Sequence, residues 1–280
     1  MMVESGSNLA RLPLAPPQAP KLSVRNLAKT RISGAGENVI AVDRVSFDVQ
    51  PGEFVSLLGP SGCGKTSILN ILAGLDRPTA GEALIDGRPI VGPGPDRAVL
   101  FQEPALFPWL SVAGNVELAL KLLSVPEADR RERAMAWLEN VHLGRFAQAQ
   151  PHELSAGMRQ RAALARALAC EPDVLLADEP FGALDAQARE LLQNELQRVW
   201  AERDAPMTLL LVTHNVREAA LLADRVLVMS AGPGRLIEEQ RIHAPRPRHL
   251  DDALVSRVVS EIHESLMREV DKDVAREMGE

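Results

Sequence analysis

Gly59-Pro60-Ser61-Gly62-Cys63-Gly64-Lys65-Thr66 decides the fold of this 280-residue chain. The eight residues fit G-x-x-x-x-G-K-[ST], a loop that wraps phosphate when a strand precedes it and a helix follows. Both conditions are met. Phe54 to Leu58 is apolar but for Ser56, as in a strand buried on both faces, and Ser67 to Leu75 carries helical periodicity. The glycines let backbone N–H groups curl around an anion, and the helix start adds a favourable dipole. Lys65 then reaches the β- and γ-phosphates of a nucleotide, Thr66 holds Mg²⁺ through its hydroxyl, and Ser67 completes the phosphate-facing set. The bland reading is a glycine-rich turn capping a helix. Lys65 and Thr66 in register behind a buried strand weigh against it.

Downstream, Val174 to Ala177 is a second apolar strand, ending in Asp178-Glu179-Pro180. Ligands of open α/β sheets gather at the carboxyl edge of the strands. There Asp178 can face a metal shell while Glu179 points onward to a water, as hydrolysis opposite a leaving phosphate requires. The rest of the chain alternates strand and helix. Strands are expected around Leu22–Leu27, Val45–Val49 and Leu209–Thr213, and up to Phe101-Gln102. A hairpin is expected over Gly81–Ile90 with its turn at Asp86-Gly87. Helices are expected over Val112–Leu123, Glu127–Asn140, Ala156–Cys170, Gln187–Arg203, Val216–Ala223 and Asp251–Val270. That alternation predicts an open, largely parallel sheet. Residues 1–20 are small, polar and proline-rich, a composition that rarely orders.

Composition narrows the function. A net charge of −7 gives no basic field for nucleic acid. Two distant cysteines, Cys63 and Cys170, argue against a disulfide scaffold or zinc site and for a reducing compartment. No run of eighteen apolar residues is present to span a bilayer, and no charged-then-apolar leader opens the chain. The reading is a cytoplasmic protein.

From about Lys21 to Gly234 the chain resembles the ATPase subunits of ABC transporters. Gln102 matches that family's glutamine loop, and Leu154-Ser155-Ala156-Gly157-Met158 its L-S-G-G-Q signature. Asp185, in Ala183-Leu184-Asp185, matches the loop coupling two subunits, and His214, in Val212-Thr213-His214, the switch histidine. All occur in the family's order. The resemblance implies a P-loop NTPase core of RecA-like type, with a small antiparallel β subdomain and an inserted helical subdomain at about 105–155. Residues 241–280 form an extension with an amphipathic helix. It further implies Mg²⁺-dependent ATP hydrolysis by a sandwich dimer of two copies, each signature segment closing over the partner's ATP. Catalytic roles fall to Lys65, Glu179 and His214. Nucleotide contacts fall to residues 59–67 with Gln102 and Arg31, and metal contacts to Thr66, Gln102 and Asp178.

Gly92 to Arg97, Ala105 to Leu110, Gly157 to Arg161 and Phe181 to Asp185 resemble the nitrate, sulfonate and taurine importers. This implies permease partners at the inner face of the membrane and, indirectly, a solute-binding protein. An exporter subunit has a similar ATPase half and stays open here. A DNA-repair ATPase needs a long coiled coil or basic groove, and a ribosome-bound factor needs a second ATPase domain. Three departures stand out. Ala156 replaces the first signature glycine, where a positive φ would be forbidden to it. Met158 replaces the glutamine. Arg31 lies where relatives stack an aromatic on adenine, and its planar guanidinium can also stack. Phe107 and Trp109 are either permease anchors or core of the helical subdomain. Leu254, Val258, Ile262 and Leu266 either pack the last helix on its own core or serve a regulatory or dimer contact.

Overall fold

Why the phosphate loop ends where it does follows from the strand that feeds it. The computed structural model describes residues 19–277 except 33, 35 and 203–206, with side chains described to 268; most of the proline-rich stretch 1–20 lies outside these residues. In chain order the elements are β1 (Leu22–Ile32), β2 (Asn38–Val49), β3 (Phe54–Leu58), α1 (Lys65–Ala73), β4 (Ala80–Ile85), β5 (Arg88–Pro89) and β6 (Arg97–Leu100). There follow α2 (Val112–Leu122), α3 (Glu127–Asn140), α4 (Ala156–Ala169), β7 (Val174–Asp178) and α5 (Ala186–Ala201). Last come β8 (Thr208–Thr213), α6 (Val216–Leu222), β9 (Arg225–Met229), β10 (Leu236–Arg241) and α7 (Ala253–Glu277).

One sheet has the order β10-β9-β3-β8-β7-β6 and is parallel except for β10 on its edge. The other, β2-β1-β4-β5, is antiparallel. β3, β7 and β8 read as largely apolar runs because helices or the second sheet cover both their faces. On one face α5, α6 and α7 enclose Phe54, Leu175, Leu209 and Phe181. On the other, α1 and the antiparallel sheet enclose Val55, Leu57, Leu69 and Leu210. A third cluster holds α2, α3 and α4 together around Val116, Leu120 and Leu138. Alanines let α4 serve two cores: Ala163 and Ala167 face the sheet while Ala162, Ala165 and Ala169 face the bundle. The result is the expected class, a parallel-sheet α/β core with a small antiparallel subdomain and an inserted helical one.

The helix starts are set locally. Ser111, Ser155, Asp185 and Asn215 each accept a backbone N–H from the first turn of α2, α4, α5 and α6 respectively. Such caps contribute about 1 kcal/mol apiece.

Three expectations need correction. β9 and β10 were not foreseen, because Arg225 follows α6 with no glycine or proline to mark a boundary. A strand starts there because Arg225, 5% exposed, is held by Glu53 at 2.6 Å and Glu239 at 3.2 Å. β2 begins at Asn38 rather than Val45; shifts in its register with β1 hid the alternation. On α7 the buried stripe is Val255 and Ile262, with Val258, Val259 and Leu266 half-buried, whereas Leu254 is exposed. The four-residue spacing therefore drifted one position off the buried face. No described helix is long and apolar enough to cross a membrane.

Candidate active site

Strand register assembles the site. Leu58 pairs with Thr213 and Asp178 with Val212, so the segments after β3, β7 and β8 leave the sheet side by side. The phosphate loop, Asp178-Glu179 and His214 therefore meet at one carboxyl edge. A pocket of about 970 Å³ opens there, lined by Gly62, Gly64, Lys65, Thr66, Gln102 and Glu179.

Gly62 and Gly64 have φ of +83° and +94°, and Gly64 forms the residue before α1. A Cβ on Gly64 would meet Val42 Cγ2 at 2.6 Å and Ala41 O at 2.7 Å, so strand β2 also demands glycine there. Lys65 is buried, its Nζ donating to Gly59 O at 2.8 Å and Pro60 O at 2.7 Å, with Cys63 Sγ at 3.8 Å. Two firm bonds fix the ammonium over the loop. Burial pushes the Cys63 thiol up against the opposing pull of Lys65, so Cys63 serves as a small apolar filler beneath the loop.

Thr66 Oγ1 donates to Asp178 Oδ1 at 3.2 Å. Burial pushes the Asp178 carboxyl up; the Thr66 hydrogen bond opposes this, Glu179 adds to it and Lys65 lowers it. A hydroxyl and a half-desolvated carboxylate, with the Gln102 amide lining the same pocket, form an all-oxygen set of the kind Mg²⁺ takes. No cluster of three or more His, Cys, Asp or Glu ligands exists among the described residues. A cation sharing phosphate oxygens needs only one or two protein ligands, so the residues fit.

Glu179 has φ of +42°, a conformation L-residues adopt at a cost of about 1–2 kcal/mol. Its N–H donates to Val212 O at 2.9 Å, which fixes the turn against β8. The carboxylate, 19% exposed, lies 3.0 Å from His214 Nδ1. Strain of this kind concentrates at functional sites. A carboxylate held by a histidine beside a phosphate loop can accept a proton from water, and the outer imidazole nitrogen can donate to an anion when the ring carries both protons.

The other predicted residues fall in two places. Arg31, exposed, stands at the pocket mouth and pairs across the strands with Val39. Residues 154–158 are not among the pocket's lining. Leu154 is buried, but Ser155 and Ala156 open α4 at the surface, with Ser155 Oγ accepting from Met158 N–H at 3.3 Å. Ala156 has no positive φ, so its methyl introduces no backbone strain. Gly157 is required for packing: a Cβ there would lie 2.8 Å from Ala188 Cβ on α5. Met158 packs into the helical core. Asp185 caps α5 by accepting from Ala188 N–H at 2.9 Å.

Sequence reasoning missed Asn38, Val39, Ile40 and the Gly232-Pro233 turn, which complete the pocket wall. Val39 and Ile40 are 49% and 51% exposed although adjacent on a strand. Two consecutive exposed aliphatics at a strand start were the available signal.

A family model described as ABC transporter matches residues 42–182. Among curated relatives, the taurine import ATP-binding protein of Mesorhizobium japonicum is 52% identical over 211 residues, covering 75% of this chain and 81% of that one. The nitrate import ATP-binding protein of Synechocystis sp. is 43% identical over 224 residues, covering 80% and 83%. An uncharacterized ABC transporter ATP-binding protein of Methanocaldococcus jannaschii is 47% identical over 228 residues, covering 81% and 84%. Among solved structures, a dimeric ATP-binding cassette in a post-hydrolysis state with ADP and Pi matches with a TM-score of 0.71 and 34% identity. It spans 80% of this chain and all of that one.

Proposed function

The chain belongs to the ABC transporter family as an ATP-hydrolysing subunit, and we propose that it powers an importer of a small anionic solute of nitrate, sulfonate or taurine type. The single observation that supports the catalytic part most is the Glu179–His214 pair, 3.0 Å apart, with Glu179 lining the phosphate-loop pocket and His214 just outside its lining. Glu179 orients the attacking water and takes its proton, and His214 holds Glu179 while its outer nitrogen faces the γ-phosphate. Lys65 and the loop amides bind the phosphates and hold them in line, which in phosphoryl transfer is most of the catalytic task. Thr66, Asp178 and Gln102 would hold Mg²⁺, which when bound neutralises charge on the phosphate oxygens.

Two copies act together. Ser155 and the start of α4 lie at the surface and outside the pocket of their own chain. A helix start whose capping hydroxyl keeps its hydrogen to donate is a ready anion contact for a nucleotide held by the partner. Asp185 stands at the same surface and couples the two sites. Arg31, with Val39 and Ile40, receives the adenine base. Residues 21–240 are the ATPase unit, with the helical part at about 105–155, and 241–280 are its extension.

Permease subunits dock on the helical part. Trp109 is 72% exposed and Leu122 77% exposed, and the Phe107 ring packs at a tilt of 47° against Trp109 with centroids 5.3 Å apart. Beside them lies an apolar groove of about 510 Å³ lined by Phe101, Phe107 and Leu118. Exposed aromatics beside an apolar groove are natural interface anchors. The chain sits on the cytoplasmic face of the membrane, and a solute-binding protein acts on it through the permease.

The test is ATPase activity of the complex reconstituted with its permease in vesicles. Nitrate-, taurine- or alkanesulfonate-loaded binding protein is expected to stimulate phosphate release and inward solute flux. Outward flux, or equal turnover with and without loaded binding protein, overturns the importer reading.

A further inference from the structure

One buried carboxylate lies close behind the catalytic pair without belonging to it. Glu218, on α6, is 5% exposed. Its Oε2 accepts the Thr213 hydroxyl at 2.7 Å, and its Oε1 lies 3.7 Å from Arg189 Nε. A carboxylate in such surroundings is retained at a desolvation cost, and burial indeed pushes its protonation range up, with Thr213, Arg189 and His214 opposing that push. The two arms lead to different loops.

The first arm ends beside His214. Thr213 is the last residue of β8, and its hydroxyl hydrogen is committed to Glu218 while its oxygen accepts Asn215 N–H at 3.0 Å. Asn215 Oδ1 in turn accepts Arg217 N–H at 3.0 Å at the start of α6. His214 is thus flanked by Thr213, whose hydroxyl the carboxylate holds, and by Asn215, whose backbone N–H bonds to that same hydroxyl. The second arm ends beside Asp185. Arg189 sits one turn into α5, and its guanidinium also donates to Leu184 O at 3.1 Å. Its backbone N–H bonds to Asp185 O at 2.9 Å. Glu218 therefore touches both the segment carrying His214 and the segment anchored to Asp185.

We infer that Glu218 is a positioning residue that sets the 183–185 loop and the His214 loop in one register. A contact made at Asp185 by a second copy is then felt at the His214–Glu179 pair. The inference rests on the ATPase reading, because it concerns when that pair is competent. It requires no ligand at Glu218: the carboxylate acts through Thr213 and Arg189 alone. Displacing Asp185 pulls α5 and Leu184, hence Arg189, hence the carboxylate whose other oxygen holds Thr213. Coupling by such a chain requires packed groups in contact; Thr213 holds Glu218 by a hydrogen bond, and Arg189 Nε, which makes no hydrogen bond, meets it as a charge at 3.7 Å.

The experiment uses the full chain. Glu218→Gln keeps an oxygen for Thr213 and the side-chain volume but presents a donor or a neutral oxygen to Arg189. Thr213→Val removes the other arm at nearly constant volume. Arg189→Leu removes the charge from α5. Each variant is measured for ATP affinity by titration, for kcat and KM, and for melting temperature. Expected is a fall in kcat of about tenfold for Thr213→Val and several-fold for the other two, with KM for ATP within about twofold of wild type. The decisive readout is the pair Asp185→Ala and Glu218→Gln: their effects on kcat should not multiply, because both interrupt one path. Effects that multiply independently, or kcat unchanged in Glu218→Gln and Arg189→Leu, overturn the inference. Absence of ATP hydrolysis in the wild-type chain would instead sink the ATPase reading itself. Should Glu218→Gln fail to fold, the cycle of Asp185→Ala with Arg189→Leu decides in its place.

Discussion

Glu179→Gln exchanges one carboxylate oxygen for an amide nitrogen at constant volume. The backbone N–H of Glu179 still reaches Val212 O, and the remaining side-chain oxygen can still accept from His214 Nδ1, 3.0 Å away in the wild type. Glutamine is no worse than glutamate at a φ of +42°, so fold and melting temperature are expected to hold. What disappears is the base. A positioned general base contributes about 10²–10⁴ in rate, or about 2.7–5.4 kcal/mol of barrier. ATP affinity survives, because Lys65 and the loop glycines are untouched. The assay has two readings on one sample: phosphate release under saturating Mg-ATP, and molar mass by size exclusion with light scattering. Turnover should fall by at least about a hundredfold, while ATP shifts the chain from one copy to two because the bound nucleotide is not consumed. Turnover within about threefold of wild type, or an unshifted mass with ATP bound, refutes the role given to Glu179.

Strain at the same residue gives a stability test. Glu179→Gly should be more stable than Glu179→Ala by about 0.5–1 kcal/mol in urea, since glycine escapes the left-handed penalty but has a more disordered unfolded chain. The reverse order would contradict the strain reading. Asp178→Asn tests the buried carboxylate. Burial raises the Asp178 carboxyl above its ordinary 3.8, so the folded state binds that proton more tightly than the unfolded chain. Stability is therefore lost as pH rises from the ordinary carboxylate range through the raised value, and stays lowered above it. The asparagine variant should melt higher than wild type at neutral pH and lose that advantage below the ordinary value; a constant difference across pH would refute it. Trp109→Ala should leave stability within about 0.5 kcal/mol yet abolish co-purification with the permease, and a retained complex removes Trp109 from that interface. Arg31→Tyr should tighten ATP binding about two- to tenfold through base stacking, and an unchanged dissociation constant by titration excludes position 31 from base contact.

What could be seen in the sequence was whatever chemistry writes in residue type. Gly62, Gly64, Lys65 and Thr66 are legible because the loop tolerates little else, and β3, β7 and β8 because strands covered on both faces become largely apolar runs. The caps Ser111, Ser155 and Asp185, which stand just before α2, α4 and α5, came to light only with the structure. Register and backbone angle are not written that way. Nothing in Asp178-Glu179 shows that Asp178 pairs with Val212, or that Glu179 turns through a positive φ to face His214. Val39 and Ile40 join the pocket only because irregular pairing carries β2 beyond the residues that alternate. The buried face of α7 was missed by one residue, at Val255, because a helical stripe steps by three as well as by four. Arg189 and Glu218 belong to different helices, and only the fold makes them neighbours.

The central claim is that ATP hydrolysis requires two copies, since the α4 start that would complete the site lies outside its own chain's pocket. The direct measurement is phosphate release per subunit from Mg-ATP as the concentration of the purified full chain rises. The account predicts that the rate per subunit climbs with concentration to a plateau, and that Lys65→Ala abolishes it at every concentration. A rate per subunit independent of concentration down to the lowest measurable value, with the chain monomeric throughout, would contradict it.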